Sequence, residues 1–135
     1  MAALDITLYV LSALAGFCIG SFLNVCIYRL PRGKFFSKAR SFCPKCGEAI
    51  KAYDNIPLLS YVILRGKCRS CGERISPRYP LVEAMTCALF VGNYAMFGMH
   101  GLTLVWDVAA CALITVSFID LDTMEIPDSA VLVLL

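Results

Sequence analysis

"ITLYVLSALAGFCIGSFLNVCIY", residues 6 to 28, runs for 23 positions with no ionisable side chain except its tyrosines and cysteines. About 20 apolar residues carry a helix across the hydrocarbon core of a bilayer, so this stretch reads as a membrane span. Composition agrees. The 135 residues are 59% hydrophobic and only 16% charged, with a mean hydropathy of +0.74, outside the range of ordinary soluble domains. A cleaved signal peptide would carry positive charge before its apolar stretch, whereas "MAALD" supplies only Asp5 and the arginines follow the stretch.

Outward from that span the charges are segregated. All twelve Lys and Arg lie between Arg29 and Arg78, opposed there only by Glu48, Asp54 and Glu73, for a local net of +9; the rest of the chain holds seven acids and no base. Lys and Arg stay on the cytoplasmic side of a membrane. The expected topology therefore has the amino terminus outside and residues 29 to 80 as a basic cytoplasmic loop.

The second half forms a hairpin. A single span from Ala84 to Trp106 would leave Val108 to Ile119, twelve residues, which is too short to cross. A tight turn at "GMHG" (Gly98 to Gly101) instead gives one span from Leu81 to Phe97 and another from Leu102 to Ile119. Asp107 then lies near the outer end of the last span, where a charge costs less than at the centre. Ala130 to Leu135 reads as the start of a truncated fourth span. The expected fold is thus an all-α polytopic membrane protein of three transmembrane helices plus the start of a fourth, with a small zinc-ribbon-like loop domain. In segments, these are a first span over 1–28, the loop over 29–80, the hairpin over 81–119, an acidic motif over 120–128 and the truncated span over 129–135. No internal repeat or low-complexity segment is evident.

A loop of about 50 residues is marginal for a hydrophobic core and needs a staple. Cys43, Cys46, Cys68 and Cys71 supply one as C-x2-C-x21-C-x2-C, each half ending in glycine, "CPKCG" and "CRSCG". Four thiolates suit a closed tetrahedral zinc site, and a reducing cytoplasm argues against disulfides. Lys45 and Arg69 beside the sulfurs favour the thiolate. A redox-active thiol pair and four unmetallated cysteines are the competing readings; the duplicated pairs favour zinc. The other cysteines, Cys18, Cys26, Cys87 and Cys111, fall in spans and read as small apolar filler, and His100 reads as a turn residue.

Two further features stand out. Ser12, Gly16, Gly20 and Asn24 recur every four residues and share one face of the first span, where small side chains let another helix approach closely. Asp120, Asp122, Glu125 and Asp128 cluster in "FIDLDTMEIPD" at the end of the last span. A solvated acidic loop is the plain alternative for them. Asp120, however, follows the apolar run directly, at the edge of a low-dielectric region that raises a carboxyl's pKa as acid/base chemistry requires. On an ideal helix Asp120 and Asp122 are about 200° apart, so they would not share one water as the two carboxyls of an aspartic protease do.

"GSFLNVCIYRLPRG" (Gly20 to Gly33), "CPKCG", "YDNIPLLSYVILRGKCRSCG" (Tyr53 to Gly72), "ISPRYPLVEAMT" (Ile75 to Thr86) and "FIDLDTMEIPD" (Phe118 to Asp128) together resemble the amino-terminal half of the bacterial type IV prepilin peptidases, the prepilin leader peptidase/N-methyltransferases. The resemblance implies an aspartic endopeptidase of the bacterial inner membrane. Such an enzyme cleaves the leader peptide of type IV prepilins and type II secretion pseudopilins on the cytoplasmic side, and methylates the new amino terminus with S-adenosylmethionine. It implies that Asp120 is catalytic, that the four loop cysteines hold structural zinc, and that Gly66 and Lys67 are the candidates for the methyl-donor region. Its partners would be prepilin or pseudopilin substrates, the lipid bilayer and a missing carboxy-terminal half, with no nucleic acid. The family's second catalytic aspartate, in a G-x-G-D type motif, has no counterpart here, so the isolated chain is expected to be inactive; it is a fragment, a truncated relative or one half of an enzyme completed by another polypeptide, and the end in "SAVLVLL" favours the fragment. A reading of a different class is a noncatalytic membrane-anchored zinc-binding partner module, which would not need Asp120.

Overall fold

The structure, a computed structural model, describes residues 2–34 and 40–123. Among the described residues, four α-helices appear in chain order: α1 (Ala2–Arg29), α2 (Leu59–Ile63), α3 (Arg78–Phe97) and α4 (Gly101–Thr123), with a 3-10 turn at Ala52–Asn55 before α2. Among the described residues α1, α3 and α4 are long and apolar enough to cross a membrane, and no strand forms beyond two isolated bridges, Phe42 with Ala49 and Lys67 with Arg74. This is an all-α polytopic membrane fold with a cysteine-bearing loop between its first and second long helices. Glu125, Asp128 and the expected fourth span at 129–135 lie outside the described residues.

α1 packs most extensively on α3, and α4 rests against both. Glycine makes the first contact possible. A Cβ on Gly16 would stand 2.6 Å from Cys87 Cα, and one on Gly20 would stand 2.7 Å from Glu83 Cα, so the two backbones meet where only hydrogen fits. Asn24, one turn further along the same face, donates from Nδ2 to the Tyr79 carbonyl at 3.0 Å. The pairings of 16 with 87, 20 with 83 and 24 with 79 describe an antiparallel pair. Beside it Leu23, Ile27, Val82, Ile114 and Ile119 close a core contributed by all three long helices.

α3 ends in a glycine turn. Gly98 takes φ 66° and its N–H donates to the Tyr94 carbonyl at 2.8 Å, while the Thr103 hydroxyl donates back to the Gly98 carbonyl at 2.6 Å. The turn brings Phe97 and Trp106 into a stack with centroids 6.2 Å apart. Inside the hairpin Asn93 Nδ2 donates to Asp107 Oδ1 at 2.7 Å, which gives the acid in this span a partner across it. The outward faces of the long helices remain apolar, as at Leu14, Phe22, Leu81, Leu104 and Leu113, each more than half exposed. A bilayer is the solvent for such surfaces.

Candidate metal centre and acidic helix end

The loop after α1 contains two copies of one small knuckle. In the first, Gly47 N–H donates to the Cys43 carbonyl at 2.9 Å and Cys43 N–H to the Glu48 carbonyl at 3.0 Å; in the second, Gly72 N–H donates to Cys68 at 3.0 Å and Cys68 N–H to Glu73 at 2.8 Å. Gly47 and Gly72 take φ values of 72° and 71°, a left-handed turn that a side chain would strain. The repeat is a structural one, visible in the sequence only as the two C-x-x-C-G runs.

The knuckles bring their thiols together. All four Sγ atoms of Cys43, Cys46, Cys68 and Cys71 lie within 4.8 Å of one another, and those of Cys43 and Cys71 are 3.8 Å apart. Zinc–sulfur bonds of about 2.3 Å in a tetrahedron would set sulfurs about 3.8 Å apart, so the cage has the dimensions of a metal site. Its electrostatics fit as well. Backbone N–H groups of Cys46 and Lys45 point at the Cys43 sulfur and bring its pKa down to about 7 from the ordinary 9.0. Cys71 goes the other way, to about 12, because donation from the Glu73 N–H is outweighed by desolvation and by the three neighbouring sulfurs. Four thiolates this close repel one another, and a divalent cation removes that repulsion. These cysteines could hold a metal such as zinc.

Around the cage the loop is tied down by charge. Asp54, in the 3-10 turn, accepts from Arg69 Nε at 2.8 Å and Nη2 at 2.7 Å, a bidentate pair between the segment before α2 and the second knuckle. The Arg69 guanidinium holds the Asp54 carboxyl below its ordinary value and also lies over the Tyr53 ring, 5.5 Å from its centroid. Arg69, expected to act on the sulfurs, thus spends its donors on Asp54.

Gly66 sits between α2 and the second knuckle, with φ 67°, and a Cβ there would stand 2.9 Å from the Tyr61 hydroxyl oxygen. Its N–H donates to the Tyr61 carbonyl at 2.9 Å and its own carbonyl accepts from Ile75 N–H at 2.7 Å. Tyr61 packing accounts for the glycine. Lys67 beside it is exposed.

The loop is also latched to the bundle by Glu83, a residue that sequence reasoning passed over. Glu83 is only 8% exposed and accepts the Leu58 N–H at Oε2, 2.6 Å away. Leu58 has φ 56°, a conformation costly for a branched side chain, held where its N–H meets a carboxylate. The available signal was an acid in an otherwise apolar helix, three residues from Thr86, the threonine that faces Gly20.

At the same end of the bundle, α4 runs unbroken through Asp120 and Asp122 to Thr123. Arg78, the first residue of α3, pairs with the Asp122 carboxylate. Asp120, partly exposed and directly after fully buried Ile119, is on a different side of α4. The structure therefore separates the two aspartates, and only Asp122 is engaged by Arg78.

A helical membrane bundle carrying a four-cysteine knuckle at one end defines the class of protein. Comparison with known proteins gives the family: residues 14–97 match the bacterial peptidase A24 N-terminal domain, and the chain belongs to that family. Similar proteins include the prepilin leader peptidase/N-methyltransferase of Myxococcus xanthus, 46% identical over 83% of this chain and 33% of the relative. That of Neisseria gonorrhoeae is 42% identical over 93% of this chain and 52% of the relative. The type 4 prepilin-like proteins leader peptide-processing enzyme of Escherichia coli O78:H11 is 39% identical over 88% and 51%. The chain thus spans from a third to about half the length of these relatives. No solved structure matches it.

Proposed function

We propose that this chain is the amino-terminal part of a membrane aspartic endopeptidase that removes the leader peptide of type IV prepilins and type II secretion pseudopilins, in the bacterial inner membrane. One observation carries the reading: α4 presents Asp120 at the end of an apolar helix while Arg78 takes Asp122, leaving Asp120 as the carboxyl open to a partner. The relatives' names supply the substrate class. The second carboxyl comes, in this reading, from the part of the enzyme that the relatives' greater length represents.

In such a pair one carboxylate takes a proton from water as the oxygen attacks the scissile carbonyl, and the other, protonated, donates to the carbonyl oxygen. Collapse of the tetrahedral intermediate breaks the C–N bond, and the amine leaves with a proton returned by the pair. Cys43, Cys46, Cys68 and Cys71 would hold zinc, which would cross-link the two knuckles of the loop. For the methyl transfer that the relatives' names also carry, with S-adenosylmethionine as donor, Gly66 and Lys67 at the edge of the second knuckle are the candidate positions. The remaining half of a relative, co-expressed with this chain, tests the assignment: cleavage of a prepilin by the pair and not by either part supports it. Robust cleavage by the 135-residue chain alone would refute it.

A further inference from the structure

α2 is short, but its surface is unusual for a loop helix. Leu59, Val62 and Ile63 occupy one face at helical spacing and are 53%, 64% and 64% exposed, and Ile56 just before it is 44% exposed. On the opposite side Tyr61 lies against Gly66. The outward apolar face ends at Arg65 and Lys67, both exposed.

The latch to Glu83 fixes where this face stands. Glu83 is five residues past Arg78, about 7.5 Å along the axis of α3, and its Cα lies opposite Gly20 in the α1–α3 contact. Because Leu58 N–H meets that carboxylate at 2.6 Å, α2 begins beside the opening turns of α3 and not beyond its end. At the same level Phe22 on α1 and Leu81 on α3 are 54% and 51% exposed and belong to the apolar surface of two membrane-spanning helices. The start of α2 thus stands at the level of that surface, with its own apolar face exposed.

We infer that α2 is an interfacial membrane element, with Ile56, Leu59, Val62 and Ile63 seated among lipid acyl chains and Arg65 and Lys67 at the headgroup phosphates. Apolar side chains flanked by cations are what such a seat requires. The lipid contact sets the height of the knuckles above the bilayer, while the Leu58–Glu83 bond sets their place beside the bundle. It rests on the fold alone and is independent of the peptidase reading.

The test places a tryptophan on the face. In a Trp106→Phe background, which removes the only native tryptophan and keeps a ring against Phe97, Val62→Trp is introduced. The full chain is then reconstituted in phosphatidylethanolamine/phosphatidylglycerol vesicles with or without brominated acyl chains. The expected result is blue-shifted emission, loss of about half or more of the intensity with shallow bromines, and little quenching by acrylamide. Emission quenched by acrylamide and indifferent to bromine would put the face in water and overturn the inference. Blue-shifted emission indifferent to bromine would overturn it too, since protein would then cover the face. Should Val62→Trp fail to fold, Leu59→Trp on the same face gives the same readings.

Discussion

At Gly20 one methyl group separates a packed bundle from a wedge. A Cβ there would stand 2.7 Å from Glu83 Cα and 3.2 Å from Thr86, and backbone cannot step aside as a flexible side chain can. Gly20→Ala is expected to destabilise the α1–α3 pair by about 1–3 kcal/mol, the usual cost of overpacking, and Gly20→Leu by more. Thermal unfolding in detergent, followed by helical circular dichroism, measures it; an unchanged midpoint for both variants would contradict the contact. The cysteines make a different prediction at this scale. Purified chain should carry about one zinc, a double Cys43→Ser/Cys68→Ser variant should lose it, and elemental analysis decides. Full zinc in that variant, still folded, would remove the four-sulfur site. The residue scale also shows what sequence can and cannot say. The thiols and the small-residue face are legible because each is a periodic pattern along the chain. The pairs Glu83 with Leu58, Arg69 with Asp54, Asn93 with Asp107 and Arg78 with Asp122 are not, since each joins groups whose meeting depends on how separate segments are placed.

Among the elements, the long helices follow from apolar runs and the turn between α3 and α4 from glycines at 98 and 101. The short elements are another matter. The 3-10 turn and α2 have too few residues to stand on propensity; Arg69 ties the turn at Asp54, and Glu83 ties Leu58, the residue before α2. Glu83→Ala would therefore leave Leu58 N–H without its acceptor and in a backbone conformation with nothing to hold it. An unsatisfied donor costs about 1–3 kcal/mol where it stays buried, and the local answer is release of the segment. Hydrogen exchange at Leu58 to Ser60 should speed up in Glu83→Ala with zinc still bound. Exchange unchanged from the parent chain would show that the segment is held by something else.

For the whole molecule, the segregation of charge and the separation of the two aspartates bear on one arrangement. The basic loop and the Asp120 end of α4 share a side of the membrane in this account, with the amino terminus and the Gly98 turn on the other. Labelling of cysteines introduced on the loop surface should succeed only from the cytoplasmic face, and labelling from the outer face would reverse the topology. The catalytic claim is tested most directly in a full-length enzyme carrying this segment, by the mobility shift of a prepilin as its leader is removed in membranes. Asp120→Asn takes one of two carboxyls and should abolish cleavage. Asp122→Asn, which loses the pair with Arg78, should reduce cleavage less. Leader removal by the Asp120→Asn enzyme at the parent rate would contradict the account.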